Sequence, residues 1–292
     1  MTARADRITQ LQRSLDRLGR ELRASRRDAP LSTTQALHYA LRRHGLLWKK
    51  VVHDGALVPR GHAAQDELYA LLRHYSFRLF VRDVVKHRDD FALPDLLRYC
   101  SATTARRYLA WFRRRRLVRC RGGRFRLSAP LTSFGPTLEW YVAAVLQREY
   151  GIPSAWNLRF DGSGRGGDYD VIGFQDGVCV YIETKSSPPR NIEPAQVRAF
   201  FDRLDTLRPQ VAVFLNDTQL RMRDKLAVLF AAELRRRAGR ARALRLERLR
   251  GEVFVAGGQL FLANSAPDLA GNIGLCLAHY FRQHGFTVHG PA

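Results

Sequence analysis

The chain has 292 residues, 46% of them hydrophobic, and carries 49 Lys and Arg against 27 Asp and Glu, a formal net charge of +22. This length favours two compact domains with a short extension. No apolar run approaches the roughly 20 residues of a membrane span, and the N-terminus lacks a signal-peptide core, so we expect a cytoplasmic protein without a membrane partner. The four cysteines stand singly, without metal-ligand spacing, and are predicted to be reduced packing residues.

Positive charge is concentrated in the first part of the chain. Residues 1–130 hold 29 Lys and Arg against 11 Asp and Glu, whereas residues 131–292 hold 20 against 16. A polyanion relieves such an excess, because Lys and Arg displace counterions from phosphates. A compositional habit toward Arg would not confine the excess to one part of the chain. The sequence therefore predicts a nucleic acid partner.

Residues 1–28 contain an amphipathic helix, with an apolar seam formed by Ile8, Leu11, Leu15, Leu18 and Leu22. Barely three heptads make a weak coiled coil. Two alternatives therefore stay open: a homodimer through this helix, or packing of the helix against its own chain. Residues 29–64 have poor periodicity and are left as an unassigned connecting region.

Residues 65–130 read as three helical segments and a hairpin. A long helical pattern covers residues 66–87, and a short second helix is predicted over residues 93–100. A third helix follows Ser101, Thr103 and Thr104, which are N-cap candidates. It ends in a block of arginines, and the turn at Gly122 and Gly123 then joins two Arg-rich strands.

This order resembles winged helix-turn-helix DNA-binding domains. The resemblance implies that the third helix enters the major groove and that the hairpin touches the backbone. It also implies that seven arginines bind nucleic acid: Arg106, Arg107, Arg113, Arg114, Arg121, Arg124 and Arg126. The alternative is a domain of this kind that mediates protein contacts.

Residues 131–292 predict an α/β domain. A helix opening after Pro136 is followed by three strands, the last two joined by a turn at Asp176 and Gly177, then by a helix over residues 193–207 and a buried strand over residues 211–215. A basic helical stretch over residues 222–251, interrupted near Gly239, is followed by two further strands and a closing helix.

Period-two alternation along the strands brings acidic residues together. Glu183 and Lys185 share one face of their strand, and the hairpin brings Asp170 beside Glu183. Adjacent carboxylates repel each other unless a cation lies between them, and oxygen ligands without thiols suit Mg²⁺ or Mn²⁺. Only 5 of the 49 basic residues are Lys, yet Lys185 stands beside this pair. The alternative is a solvated strand face with a cross-strand ion pair.

These residues resemble the PD-(D/E)XK, or restriction-endonuclease-like, superfamily of metal-dependent nucleases. The match consists of the helical Glu139, the GGDYDV strand that contains Asp170, and the ETK tripeptide from Glu183 to Lys185; Tyr169 replaces the proline of the family name. The implied fold class is α/β, with a core of helix, three strands, helix and strand around a mixed sheet, preceded by a mainly helical winged-helix domain.

The same resemblance implies roles for individual residues. Asp170 and Glu183 would bind the metal with the backbone carbonyl of Thr184, and Lys185 would be catalytic. Glu139 would support the metal or its waters. Gln196 matches a glutamine that some members use near the active site.

The sequence thus predicts a Mg²⁺- or Mn²⁺-dependent deoxyribonuclease that hydrolyses DNA endonucleolytically through a metal-activated water, in genome defence or DNA repair. DNA is favoured over RNA by the winged-helix resemblance alone. Two alternatives stay open: a non-cutting DNA-binding regulator with a nuclease-like scaffold, and an RNA-cleaving defence effector. Since no P-loop occurs, any motor activity would come from a partner protein, and a regulatory partner is also an option.

Overall fold

The computed structural model describes residues 33–43, 45–49, 55–128, 131–160, 168–238 and 244–284. The helix predicted within residues 1–28 lies outside these ranges, as does the Gly-rich segment of residues 161–167. Within them the chain forms an α/β fold with one large mixed sheet and a helical module beside it. No helix of the described residues has both the length and the apolar character needed to span a bilayer.

The first elements fall in the region left unassigned. Helix α1 (Thr33–Arg43) contacts the large sheet, and the short strand β1 (Trp48–Lys49) pairs antiparallel with the edge of that sheet. Leu37, Ala40 and Leu41 are buried at helical spacing. This signal is too short to stand out in the sequence, because three apolar positions define barely one turn of a buried face.

The helical module consists of α2 (His62–Leu72), α3 (Tyr75–Lys86), a 3₁₀ turn (Leu93–Leu96) and α4 (Ala102–Arg114). The prediction of one helix over residues 66–87 was wrong, because His74 adopts an extended backbone and starts a new helix. Neither Gly nor Pro marks this break. The short second helix is a single 3₁₀ turn, which ends before the N-cap of α4.

Helix α4 begins as predicted, with the Ser101 hydroxyl accepting a hydrogen bond from the Thr104 amide at 3.2 Å. Its buried face packs edge-on against α3, where the Phe77 and Tyr108 rings lie 4.8 Å apart. The strands β2 (Val118–Arg121) and β3 (Arg124–Leu127) follow it. They are joined by Gly122 and Gly123, whose φ of 56° and 76° suit a tight hairpin turn.

The α/β part begins with α5 (Gly135–Tyr150), β4 (Ser154–Phe160), β5 (Tyr169–Gln175), β6 (Val178–Lys185), α6 (Pro194–Leu207) and β7 (Val211–Asn216). It continues with α7 (Leu226–Ala238), β8 (Glu247–Arg250), β9 (Val253–Ala256), β10 (Leu260–Asn264) and α8 (Leu269–His284). The predicted order of helix, three strands, helix and strand is therefore present. The prediction that the basic helical stretch continues to residue 251 was wrong, because Glu247–Arg250 form the edge strand β8.

The sheet has the order β1-β4-β5-β6-β7-β10-β9-β8, in which β6, β7 and β10 run parallel and the other neighbours are antiparallel. One face packs against α5 and α8, and this core continues into the helical module. The other face packs against α1, α6 and α7. Alternation along β6 sends Val180 and Ile182 to the first core and Tyr181 to the second.

All four cysteines are unpaired, as predicted. Cys179 and Cys276 are buried, and burial raises the pKa of both thiols, to about 12 for Cys179. Cys120 is exposed, so the prediction that it packs inside the protein was wrong. The hairpin that carries it is short and has only one covered face.

Candidate active site

The candidate site lies where β5 and β6 separate. Their antiparallel pairing runs from Gln175 opposite Val178 to Val171 opposite Ile182 and ends there, although both strands continue. Beyond this point β5 stays paired with β4, and β6 with β7. The two strands therefore form a fork, and the next residues along its arms are Asp170 and Glu183.

Asp170 lies inside this fork and is oriented by the opposite strand. Its Oδ2 atom accepts hydrogen bonds from the Thr184 amide at 2.7 Å and from the Thr184 hydroxyl at 3.1 Å. Within the described residues, its Oδ1 atom accepts no hydrogen bond. The side chain bonds to a backbone amide at the position where the ladder ends, so one carboxylate oxygen is fixed and the other is left for a ligand.

Glu183 is 2% exposed and is surrounded by donors. Its Oε1 accepts a hydrogen bond from Lys185 Nζ at 2.6 Å, and Arg203 Nη1, on α6, lies 3.3 Å from both carboxylate oxygens. The Tyr181 hydroxyl donates to Oε2. Glu183 and Lys185 thus share a face, as the strand alternation predicts.

Burial and neighbouring carboxylates raise the pKa of two carboxyl groups of this site, those of Glu139 and Asp170. Burial, followed by repulsion from Asp170 and Glu183, raises the pKa of Glu139 on α5 to about 8. Burial and the Glu183 carboxylate raise the pKa of Asp170 to about 7, against the opposing effects of Lys185 and Thr184. Three carboxyl groups here face the two cationic side chains of Lys185 and Arg203, so a bound cation would reduce the repulsion among the carboxylates.

Lys185 has the opposite balance. Burial alone would lower its pKa, but Glu183 and Asp170 outweigh burial and hold the pKa above its ordinary value. The amine therefore stays an ammonium ion in this arrangement. It can oppose the negative charge of a phosphate, and in this state it has no lone pair with which to accept a proton.

These residues fit a hard divalent cation that keeps part of its water shell. Within the described part of the chain, no group of three or more His, Cys, Asp or Glu side chains is arranged to hold a metal ion. Mg²⁺, however, is usually held by one or two carboxylates and retains several waters. Asp170 and Glu183 supply oxygen ligands only, which suits Mg²⁺ or Mn²⁺ better than zinc.

Two neighbouring polar residues have other tasks. The Gln196 side chain accepts a hydrogen bond from the Glu193 amide at 2.9 Å and caps the start of α6. Asp168 pairs with Arg159 across the start of β5, in an exposed position.

Arg203 was missed by the sequence analysis. It is one arginine among 44, and its helix shows no pattern that distinguishes it from a solvated residue. Only the packing of α6 beneath β6 brings it to Glu183.

The seven arginines predicted to bind nucleic acid are all exposed. Three have acidic neighbours: Arg124 pairs with Asp90, Arg126 Nη2 lies 3.9 Å from Asp89, and Arg114 Nη2 lies 3.8 Å from Glu67. The other four make no ion pair with a carboxylate of the described residues: Arg106, Arg107, Arg113 and Arg121. A basic surface thus runs along α4 and the hairpin.

A second charged cluster lies at the end of β7. Asp217 is fully buried, and Arg78 Nε, on α3, donates to its two carboxylate oxygens at 3.0 and 3.1 Å. Arg82 and the Ser265 hydroxyl also bond this carboxylate. Burial would raise the pKa of Asp217, but Arg78 and Arg82 outweigh burial and hold it below its ordinary value.

This cluster also contacts the candidate active site. The Asp217 amide donates to the Lys185 carbonyl at 2.7 Å, and Asn216 Nδ2 donates to the same carbonyl at 3.0 Å. The helical module is therefore joined through buried charges to the backbone of Lys185.

Two solved structures overlap with part of this fold. Protein VC1899 from Vibrio cholerae gives a TM-score of 0.40 at 14% identity, covering 63% of this chain and 53% of VC1899. Can2 from Sulfobacillus thermosulfidooxidans, solved in complex with cyclic tetra-adenylate, gives a TM-score of 0.37 at 16% identity, covering 65% of this chain and 52% of Can2. The chain thus matches about half the length of each. No protein-family model and no curated protein matches it.

Proposed function

We propose that this protein is a Mg²⁺- or Mn²⁺-dependent deoxyribonuclease with a PD-(D/E)XK-type site. The observation that carries the proposal is the fork between β5 and β6. It holds an available oxygen of Asp170 next to the buried pair of Glu183 and Lys185. A metal-binding carboxylate pair with a charged amine beside it is the set of groups that phosphodiester hydrolysis needs.

Each residue has a task in this proposal. Asp170 and Glu183 hold the metal, with the Thr184 carbonyl as a further ligand, while the Thr184 amide and hydroxyl orient Asp170. When bound, the metal would lower the pKa of a water molecule and neutralise phosphate charge. Lys185 places its ammonium beside the charge that develops on the phosphate, and Glu139 accepts hydrogen bonds from the metal's water shell.

Arg203 is added as a positioning residue, because it contacts both oxygens of Glu183. Gln196 is left out, because its amide oxygen caps α6.

DNA binding is assigned to the winged-helix-like residues 65–130. Four arginines of this basic surface have no acidic partner among the described residues, and they give it positive charge along α4 and β2. Endonucleolytic cutting in genome defence or DNA repair fits a DNA-binding module joined to a nuclease core. This arrangement also allows a regulatory or motor partner.

The direct test is incubation of the purified protein with supercoiled plasmid and Mg²⁺ or Mn²⁺. We expect nicking or linearisation that EDTA abolishes. Because the ammonium of Lys185 opposes charge in the transition state, Lys185→Met should slow cutting about 100- to 1000-fold. Glu183→Gln and Asp170→Asn should slow it at least as much.

Glu247→Gln, on the remote strand β8, is the matched control and should cut at the wild-type rate. Absence of cutting by the wild type, with DNA binding retained, would favour the non-cutting regulator. Preferential cutting of RNA oligonucleotides would favour the RNA-cleaving effector.

A further inference from the structure

A groove opens directly beside the candidate active site. It has a volume of about 1040 Å³ and lies between α3 and the loops that follow β6 and β7. Ser186, which lines it, is the residue immediately after Lys185. A ligand lying in this groove would therefore contact the residue that follows Lys185.

The walls of the groove combine positive charge with aromatic rings. Arg98, Arg190 and Arg221 are exposed along it, and none of them makes an ion pair with a carboxylate of the described residues. Tyr99 is 41% exposed, and the Arg98 guanidinium lies 5.1 Å from its ring centroid. Tyr75 lies on the α3 side.

Surfaces that bind single-stranded nucleic acid combine cations, which contact the phosphates, with aromatic side chains, on which the bases stack.

One wall residue, Asp83 on α3, is buried without a partner. It is 8% exposed, and its Oδ2 atom makes no hydrogen bond with the described part of the chain. Its carboxylate forms no ion pair within the described residues, although Lys86, His87, Arg82 and Arg98 lie near enough to influence it. Buried polar atoms are almost always hydrogen-bonded, because leaving one unpaired is costly. Because Asp83 lines the groove, a small rotation of its side chain would present this unpaired oxygen to a donor of a ligand.

We propose that the groove binds one unpaired strand of DNA and that Asp83 accepts a hydrogen bond from the exocyclic amino group of a base. A carboxylate accepts from the N4 amino group of cytosine, whereas thymine presents the O4 carbonyl at the same position. The groove therefore prefers cytosine to thymine. That the strand is a substrate rests on the proposed function, whereas the base preference rests on Asp83 alone.

The test is fluorescence anisotropy in EDTA at mildly alkaline pH, with labelled oligodeoxycytidine and oligodeoxythymidine of about 12 nucleotides. The wild type should bind oligodeoxycytidine about tenfold more tightly. Asp83→Asn should abolish this preference, because the isosteric amide offers both a donor and an acceptor. A merely structural role for Asp83 would change both affinities together.

Two further pairs of variants test the other groups of the groove. Tyr99→Ala should weaken binding of both oligonucleotides, and Tyr99→Phe should restore it, because stacking needs only the ring. Arg221→Ala should weaken binding and reduce the salt dependence by about one charge. Arg223→Ala is the matched control, because Arg223 is also exposed but lines a different depression, and it should bind like the wild type.

Equal affinity of the wild type for both oligonucleotides, or an unchanged preference in Asp83→Asn, would overturn the proposal. Tighter binding of oligocytidine RNA than of oligodeoxycytidine would overturn the assignment to DNA. If the wild type prefers oligodeoxycytidine but does not cut plasmid, the proposed function is rejected and the assignment of the groove stands. If the wild type cuts plasmid but shows no preference for oligodeoxycytidine, only the assignment of the groove is rejected.

Discussion

Two buried charged clusters end neighbouring strands of the sheet, and their charge balance differs. At the end of β6, the described cations that face Glu139, Asp170 and Glu183 are Lys185 and Arg203, and the pKa values of Glu139 and Asp170 are raised. At the end of β7, the single carboxylate of Asp217 is bonded by two arginines and a serine, and its pKa is lowered. The carboxylate enclosed by arginines is suited to holding structure, and the carboxyl-rich cluster to binding a cation.

The two clusters are physically joined, so one supports the other. The amide of Asp217 and the side chain of Asn216 both donate to the carbonyl of Lys185. The β7 cluster thus fixes the backbone of the residue whose ammonium faces the candidate metal site. Substitutions should therefore have opposite effects in the two places: lost stability at β7, and lost activity with retained stability at β6.

The largest expected effect on stability belongs to Asp217→Ala. Removing this carboxylate leaves Arg78, which is 1% exposed, as a buried cation without its partner. Breaking a buried ion pair in this way costs about 3 to 5 kcal/mol of the free energy of unfolding. Urea unfolding measures it, and a loss below about 1 kcal/mol would show that the cluster is not a structural support.

The stability should also depend on pH, because the Asp217 carboxylate stabilises the folded protein in its ionised form. Because the pKa of Asp217 is lower in the folded than in the unfolded protein, its stabilising contribution is complete above the ordinary carboxyl pKa of about 3.9 and is lost as the pH falls through the folded value. The melting temperature of the wild type should therefore decrease as the pH falls through this acid range. Asp217→Asn should show a flatter profile, and parallel profiles for the two proteins would contradict this assignment.

At the end of β6, a substitution should change the free energy of unfolding only slightly, and in the direction opposite to that of Asp217→Ala. Asp170→Asn keeps an oxygen that accepts from the Thr184 amide and hydroxyl, and it removes a charge that Glu139 and Glu183 repel. We expect the free energy of unfolding, measured without divalent metal, to change by less than about 1 kcal/mol, in favour of the folded state. A loss of several kcal/mol would mean that Asp170 is structural.

The contrast between the clusters also explains what could be predicted from the sequence. Asp170, Glu183 and Lys185 lie on two strands joined by a tight turn, so period-two alternation and the turn at Asp176 and Gly177 were sufficient to bring them together. The order of the elements around them followed from local periodicity in the same way.

The β7 cluster could not be predicted, because Arg78 and Asp217 are separated by 139 residues. The contact depends on how α3 packs against the end of the sheet, and local periodicity does not determine such packing. The break at His74 also escaped prediction, since no Gly or Pro marks it. In the sequence, Asp83 is one more charged residue on a helix. Only its burial without a partner among the described residues distinguishes it from the others.

The smallest expected effects concern the exposed arginines, where the same distinction between paired and unpaired charge applies. Arg124 is bonded by both carboxylate oxygens of Asp90, whereas Arg121, three residues away on the partner strand, makes no ion pair within the described residues. Neither substitution by Ala should shift the melting temperature measurably, because exposed ion pairs add little to stability.

DNA binding should separate these two arginines. Arg124 must release Asp90 before it can bind a phosphate, so Arg124→Ala should weaken duplex binding less than Arg121→Ala does. Arg121→Ala should reduce the slope of affinity against salt by about one charge. Titration of a labelled duplex at several salt concentrations measures both, and a larger effect for Arg124→Ala would mean that phosphate displaces Asp90 without a penalty.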